Sequence, residues 1–206
     1  MQTMKRFLTL ILLLGCLSIG YGQAFKGGLR VGFTGSQISG DDLSGFHKFG
    51  AYAGGFVNVP ISPNGKWKIQ PEINFTMKGS STYYRGVRAR NATNKYVLTL
   101  LYIDVPIFFK WNPWRGLELE AGPSFNILCY AEERDVNGKM PSRKPFRWWE
   151  FAATIGVSYT FLEHYGLDFR WSSSIVPVRV PGDWIINRVV KKQFNDLLAF
   201  SFFYQF

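Results

Sequence analysis

Beyond residue 22 the chain switches between apolar and polar side chains at every second position, the period of a strand whose two faces meet different surroundings. The run from Trp67 is the clearest. Trp67, Ile69, Pro71, Ile73, Phe75 and Met77 fall on one face, and Lys68, Gln70, Glu72, Asn74, Thr76 and Lys78 fall on the other. A helix would mix these two sets, so the segment is predicted to be a strand with one greasy and one wet side. The pattern recurs at Leu29, Val31 and Phe33, at Leu101 through Phe109, and at Leu117 through Ile127. It returns at Trp149 through Phe161, at Leu167, Phe169 and Trp171, and at Leu198, Phe200, Phe202, Tyr204 and Phe206. A further segment over 49–59, rich in Gly and Ala, alternates less cleanly. Eight strands are predicted.

The connections between them alternate in length. Those over 61–65, 112–116 and 163–166 are tight, whereas those over 37–47, 79–95, 131–147 and 177–192 are long. Short turns at one end and long loops at the other are the layout of an eight-stranded antiparallel transmembrane β-barrel, with periplasmic turns and extracellular loops. A soluble sandwich or lipocalin-type barrel would also alternate, but with its apolar faces inward and charge outside. Three features favour the inverted arrangement. Aromatic residues sit near strand ends, at Trp67, Trp111, Trp114, Trp149 and Phe161, where interfacial girdles belong. The wet faces carry both signs of charge, which suits a packed polar lumen. The chain also ends in Phe206 after alternating aromatics, which resembles the C-terminal signal read by the barrel-assembly machinery.

Composition agrees with that placement. Of 206 residues 17% are aromatic and only 18% are charged, an unusual balance for a small soluble protein. Lys5 and Arg6 precede the apolar run from Phe7 to Leu14, and small residues follow at Gly20 and Gly22, the order of a secretory signal peptide. Residues 1–22 are therefore expected to be the signal and residues 23–206 the outer-membrane barrel domain. Lipidation at Cys16 is the alternative, because Leu13-Leu14-Gly15-Cys16 resembles a lipobox, although Leu14 fits its second position poorly. Cleavage after Gly22 leaves Cys129 as the one remaining cysteine, so no internal disulfide is expected. Two histidines and no CxxC leave no zinc-site spacing, and neither a metal nor a cofactor is expected.

The inner faces hold Arg30, Lys68, Glu72, Asp104, Lys110, Glu118, Glu120, Glu150, Asp168 and Arg170. An eight-stranded barrel is only wide enough for side chains to fill it, and opposite charges there are expected to pair as a structural network. An ion path lined by carboxylates is the functional alternative. Net charge is +10, and most of the excess positive charge lies in the long connections. Arg85, Arg88, Arg90 and Lys95 come without an acidic neighbour in their loop. Lipopolysaccharide phosphates lie at that height and match Arg geometry, whereas an exported protein seldom meets nucleic acid. Solvated loops with incidental polyanion affinity are the plainer account.

Several motifs resemble the PorT-like outer-membrane β-barrel family of Bacteroidetes. Lys26-Gly27-Gly28-Leu29 with Gly32 is similar to its first-strand opening, and Gln70-Pro71-Glu72 to its third-strand motif. Tyr102-Ile103-Asp104-Val105-Pro106, followed by Lys110, resembles a Tyr-x-Glu-Ile-Pro pattern with Asp104 in place of Glu, and Gly122-Pro123 resembles the fifth-strand Gly-Pro. The resemblance implies fold and location, with a family name drawn from type IX secretion and gliding, and it offers no catalytic residues to carry over.

Catalysis finds little support in the residues. Nucleophile activation needs a histidine within hydrogen-bond reach, and lipid A deacylases carry His and Ser two residues apart on one strand face. His47 is followed by Lys48-Phe49 and His164 by Tyr165-Gly166, so neither fits. His47 with Asp41, Asp42 and Ser44 is the one plausible cluster, and a solvated loop histidine is the plainer reading. The expectation is a non-enzymatic integral outer-membrane barrel with a structural or accessory role. It would contact lipid, lipopolysaccharide or a partner complex through its basic loops, with Trp148, Trp149 and Trp184 as anchors or girdle residues. A narrow channel for small solutes is the alternative, and a lipid-modifying barrel enzyme the third reading.

Overall fold

A computed structural model describes residues 25–39, 45–81, 96–135, 137–139, 145–179 and 193–206. Its strands are β1 (Lys26–Ser39), β2 (Lys48–Pro60), β3 (Trp67–Ser81), β4 (Val97–Trp114), β5 (Leu117–Asp135), β6 (Gly138–Lys139), β7 (Trp149–Phe161), β8 (Tyr165–Ser174) and β9 (Phe194–Gln205). Apart from the short β6, strands adjacent in sequence pair antiparallel, β5 pairs with β7 as well as β4, and β9 returns to pair with β1. That last ladder, Gly28↔Gln205 through Ser39↔Phe194, closes the sheet. The two-residue β6 only folds back on the end of β5, so the closed wall has eight staves. Closure gives both edge strands a partner, which a sheet in hydrocarbon requires.

The alternation sorts side chains to opposite surroundings. Leu29 and Ile73 on the outer wall are 60% and 64% exposed, while Glu72 and Arg170 on the inner face are each 2% exposed. A soluble barrel would show the reverse. Aromatic residues ring the wall near both ends: Trp67 stacks on Trp111 at 6.0 Å, and Phe125 on Trp149 at 6.4 Å.

Turns close the end that carries the termini of the barrel. Gly65 and Gly116 take φ of 65° and 84°, the left-handed region that tight hairpins demand. The third turn puts Leu162 at φ 49° and Glu163 at φ 63°, where an L side chain is strained.

Boundaries differ from the sequence expectation at the ends of β4 and β5. β4 runs on to Trp114, so the turn expected over 112–116 shrinks to Arg115 and Gly116. β5 continues to Asp135 and turns back through β6, inside the stretch expected to be a long connection over 131–147. The cause is a β-bulge: Tyr102 faces Leu128 but Leu101 faces Tyr130, so Cys129 is the extra residue. A bulge moves every later side chain to the other face, and an alternation followed in fixed phase stops there.

A side chain at Gly32 would lie 2.1 Å from the Phe200 carbonyl oxygen across the closing ladder. Gly32→Ala should therefore lower stability by about 1–3 kcal/mol, read as an earlier urea midpoint in detergent. Glu163→Gly should raise it by about 1 kcal/mol.

Candidate functional site

The chemistry-bearing side chains lie inside the barrel. Arg170 on β8 donates to Glu72 Oε2 at 2.7 Å and Oε1 at 2.9 Å, to Glu120 through Nε and Nη2, and to the Tyr52 hydroxyl at 3.0 Å. It also meets Asp168 at 3.0 Å. Arg30 on β1 shares two of these acceptors, Glu72 at 2.8 Å and Asp168 at 3.2 Å. Lys110 joins Glu118 and Glu120, both at 3.1 Å, and Lys68 pairs with Glu118. Five strands thus feed one connected ionic lattice running from Lys68 to Asp168.

Local sequence makes these reaches possible. Gly156 on β7 stands between Glu120 on β5 and Arg170 on β8, and a Cβ there would come within 2.8 Å of Glu120 Oε1 and 2.9 Å of Arg170 Cγ. The bare glycine lets Arg170 cross β7. Lys68 and Lys110 are direct cross-strand neighbours, an unfavourable pairing of like charges that Glu118 bridges.

A second cluster lies nearer the opposite end. Lys78 sits 3.2 Å from Glu150 and 3.4 Å from Asp104, with Asn126 and Asn195 donating to Glu150. Lys78 is the member absent from the set of inner charges read from the chain, although the alternation already placed it on the wet face of β3. Three of the buried cations also rest on an aromatic ring. Arg30 lies 5.1 Å from Phe56, Arg170 4.2 Å from Phe108 and Lys78 4.6 Å from Tyr102. The packed polar lumen that the pattern predicts is therefore ionic and aromatic together. Rings offer desolvated cations an attractive surface that water no longer supplies.

Above this level the lumen turns apolar. Ile38, Leu98, Leu100 and Tyr102 pack with Phe146 and Val178, which come from segments beyond the staves. Arg179 lies over Phe146 at 4.6 Å and donates to Glu133 at 2.6 Å, holding that cap in place. A cavity of about 20 Å³ remains beside Asn74, Asp104 and Arg170, room for roughly one water.

The outer rim at this end carries its own cations. Arg147 lies 5.6 Å over Trp149, and Lys139 lies 6.0 Å over Tyr130. Arg134 and Lys139 flank Glu132 at 2.9 and 3.7 Å. The hydrogen bond from Arg134 holds the Glu132 carboxyl below its usual range.

Arg85, Arg88, Arg90 and Lys95 lie outside the described residues, as do Asp41, Asp42, Ser44 and Trp184. His47 donates its backbone N–H to Gly45 O at 2.8 Å, and its side chain is half-buried. His164 Nδ1 lies 2.8 Å from Gln205 O, which ties the turn after β7 to the last strand. No group of three or more His, Cys, Asp or Glu suited to a metal ion occurs among the described residues.

Residues 21–178 match the family described as "Outer membrane protein beta-barrel domain". No curated protein matches the chain. Among solved structures, Ail of Yersinia pestis in complex with the heparin analogue sucrose octasulfate is 11% identical, covering 89% of this chain and 100% of that one, with a TM-score of 0.51. Another Ail structure is 9% identical over 88% of this chain and 98% of that one, at TM-score 0.50. Neisserial surface protein A is 11% identical over 89% and 98%, at TM-score 0.48. At such identities the likeness is one of fold.

Removing one partner of a buried ion pair strands the others. Arg170→Met leaves Glu72, Glu120 and Asp168 short of a cation and should cost about 3–5 kcal/mol. Arg170→Met combined with Glu120→Gln should recover part of that loss, measured by urea unfolding in detergent.

Proposed function

The chain belongs to the outer membrane β-barrel domain family and is an integral outer-membrane protein, and on that premise we propose a non-enzymatic, surface-contact role in which the rim remote from the termini holds lipopolysaccharide phosphates. The observation that carries the proposal is the pairing of exposed cations with aromatics at that rim, Arg147 on Trp149 and Lys139 on Tyr130. An arginine braced on a ring at the headgroup level presents its donors to a phosphate with little freedom left to lose. Arg85, Arg88, Arg90 and Lys95 add charge from the connection between β3 and β4, and Trp148 and Trp184 add anchors. The Ail barrel, of the same fold, is seen in complex with the polyanion sucrose octasulfate, so this architecture is compatible with a polyanion site.

The filled lumen favours this role over a solute channel, since the ionic lattice and the Phe146–Val178 cap occupy the path a solute would need. Within the family, the short motifs on β1, β3, β4 and β5 favour a PorT-like member, with a secretion-related partner complex as one setting for an accessory barrel. Residues 1–22 would serve as the export signal, and Phe206 as the mark read by the assembly machinery.

The test is binding of purified lipopolysaccharide to the detergent-folded protein. Arg147→Glu with Lys139→Glu should weaken binding about tenfold or more, as should Arg85, Arg88 and Arg90 changed together to Glu, with the heat-dependent gel shift of the folded barrel retained. Undiminished binding in both variants would overturn the reading.

A further inference from the structure

A groove of about 560 Å³ runs across the outer wall over β1 to β4, beside the end that carries the termini of the barrel. Gly55 and Gly27 line it with no side chain of their own, and Val57, Ile73, Val105 and Phe206 border it. Gly55 lies between Leu29 on β1 and Ile73 on β3, so the missing side chain leaves a trough between two outward apolar residues.

The hydrogen-bonded ladders lapse on both sides of β3 at this level. Partners between β2 and β3 break off from Phe56↔Glu72 to Val59↔Ile69, and those between β3 and β4 from Pro71↔Ile107 to Asn74↔Asp104. Pro71 and Pro106 have no N–H to give a ladder, which accounts for the interruption.

Nothing among the described residues requires a glycine at position 55. Its backbone is outside the left-handed region, and a Cβ there would meet Gly28 O at 3.6 Å and Leu29 Cδ2 at 3.7 Å, ordinary contacts. By contrast, Gly54 next to it faces inward, where a Cβ would lie 2.1 Å from Asn74 Oδ1 and 2.4 Å from Ile73 O. Glycine inside a strand weakens it, and where neither turn nor packing demands one it marks a place that something else approaches.

We propose that this groove is a binding site for one acyl chain of a glycerophospholipid from the periplasmic leaflet. The groove is continuous with the lipid-facing wall. The side chain of Glu72 turns inward to Arg30 and Arg170, so the carboxylate takes no part in the apolar surface. Tight turns mark the periplasmic end of such barrels, and the groove lies beside that end, where the leaflet is phospholipid. An unbranched alkyl chain is the ligand an apolar trough in a membrane wall selects, and the volume falls in the range of ligand sites. The inference rests on the outer-membrane location and is independent of the lipopolysaccharide reading.

Native mass spectrometry of delipidated, detergent-folded protein titrated with phosphatidylethanolamine tests it. The unaltered protein should retain one lipid. Gly55→Leu fills the trough without a backbone clash and should bind at least about tenfold more weakly. Ala53→Leu, on the same outward face but away from the groove, should bind as the unaltered protein does. Unchanged affinity in Gly55→Leu, or no lipid on the unaltered protein, would overturn the proposal. So would a dimer that Gly55→Leu dissociates, which would assign the groove to a second copy. The heat-dependent gel shift confirms that each variant is folded.

Discussion

The Arg170 guanidinium is the point on which the interior depends. A guanidinium in a narrow, nearly dry lumen is tolerable only if its donors are met by acceptors and its charge by carboxylates. Here Glu72, Glu120 and Asp168 approach it from β3, β5 and β8 itself, and the Tyr52 hydroxyl closes the set from β2. The requirement then spreads outward. Glu72 and Asp168 also face Arg30, and Glu120 faces Lys110, which in turn needs Glu118. Gly156 is bare because a side chain there would stand in the path of Arg170. Such a lattice stitches opposite staves together and defines how they stand against one another, whatever its net contribution to stability.

The same geometry separates two tasks between two surfaces. The inside is occupied by ion pairs, by the rings beneath them, and by an apolar cap under Phe146 and Val178. The outside is apolar, ringed by stacked aromatics, and carries its cations at the rim. The interior is committed to holding the staves, which leaves the rim and the wall as the surfaces that meet the surroundings. Closed barrels of this size recur with little common sequence, as the 11% identity to Ail illustrates, since the wall asks only for alternation and closure. Shared fold therefore says little about shared role.

Much of this was legible in the chain because the strand period is two and a membrane wall reads that period with opposite sign from a soluble core. The alternation from Trp67 to Lys78 already assigns Glu72 to the inside and Ile73 to the outside, and the tight turn at Asn64-Gly65 follows from local chemistry. Other features left no such local trace. The bulge at Cys129 reverses the phase of β5, so an alternation followed in fixed phase ends before the strand's last residues toward Asp135. Lys78 stood on the wet face, yet its partners Asp104 and Glu150 come from two other strands, the second of them 72 residues further along.

The sequence by itself determined the staves, the sense in which they face, and the inventory of charges that had to be hidden, because each of these depends on residues one or two positions apart. Only the tertiary structure decided which carboxylate meets which cation, that aromatic rings lie beneath Arg30, Arg170 and Lys78, and that Gly55 opens a trough while Gly156 clears a path. Those outcomes follow from closing the sheet. Closure brings side chains far apart in the chain to a common height in the lumen, and strand register, a property of pairs of strands, sets which of them come within reach.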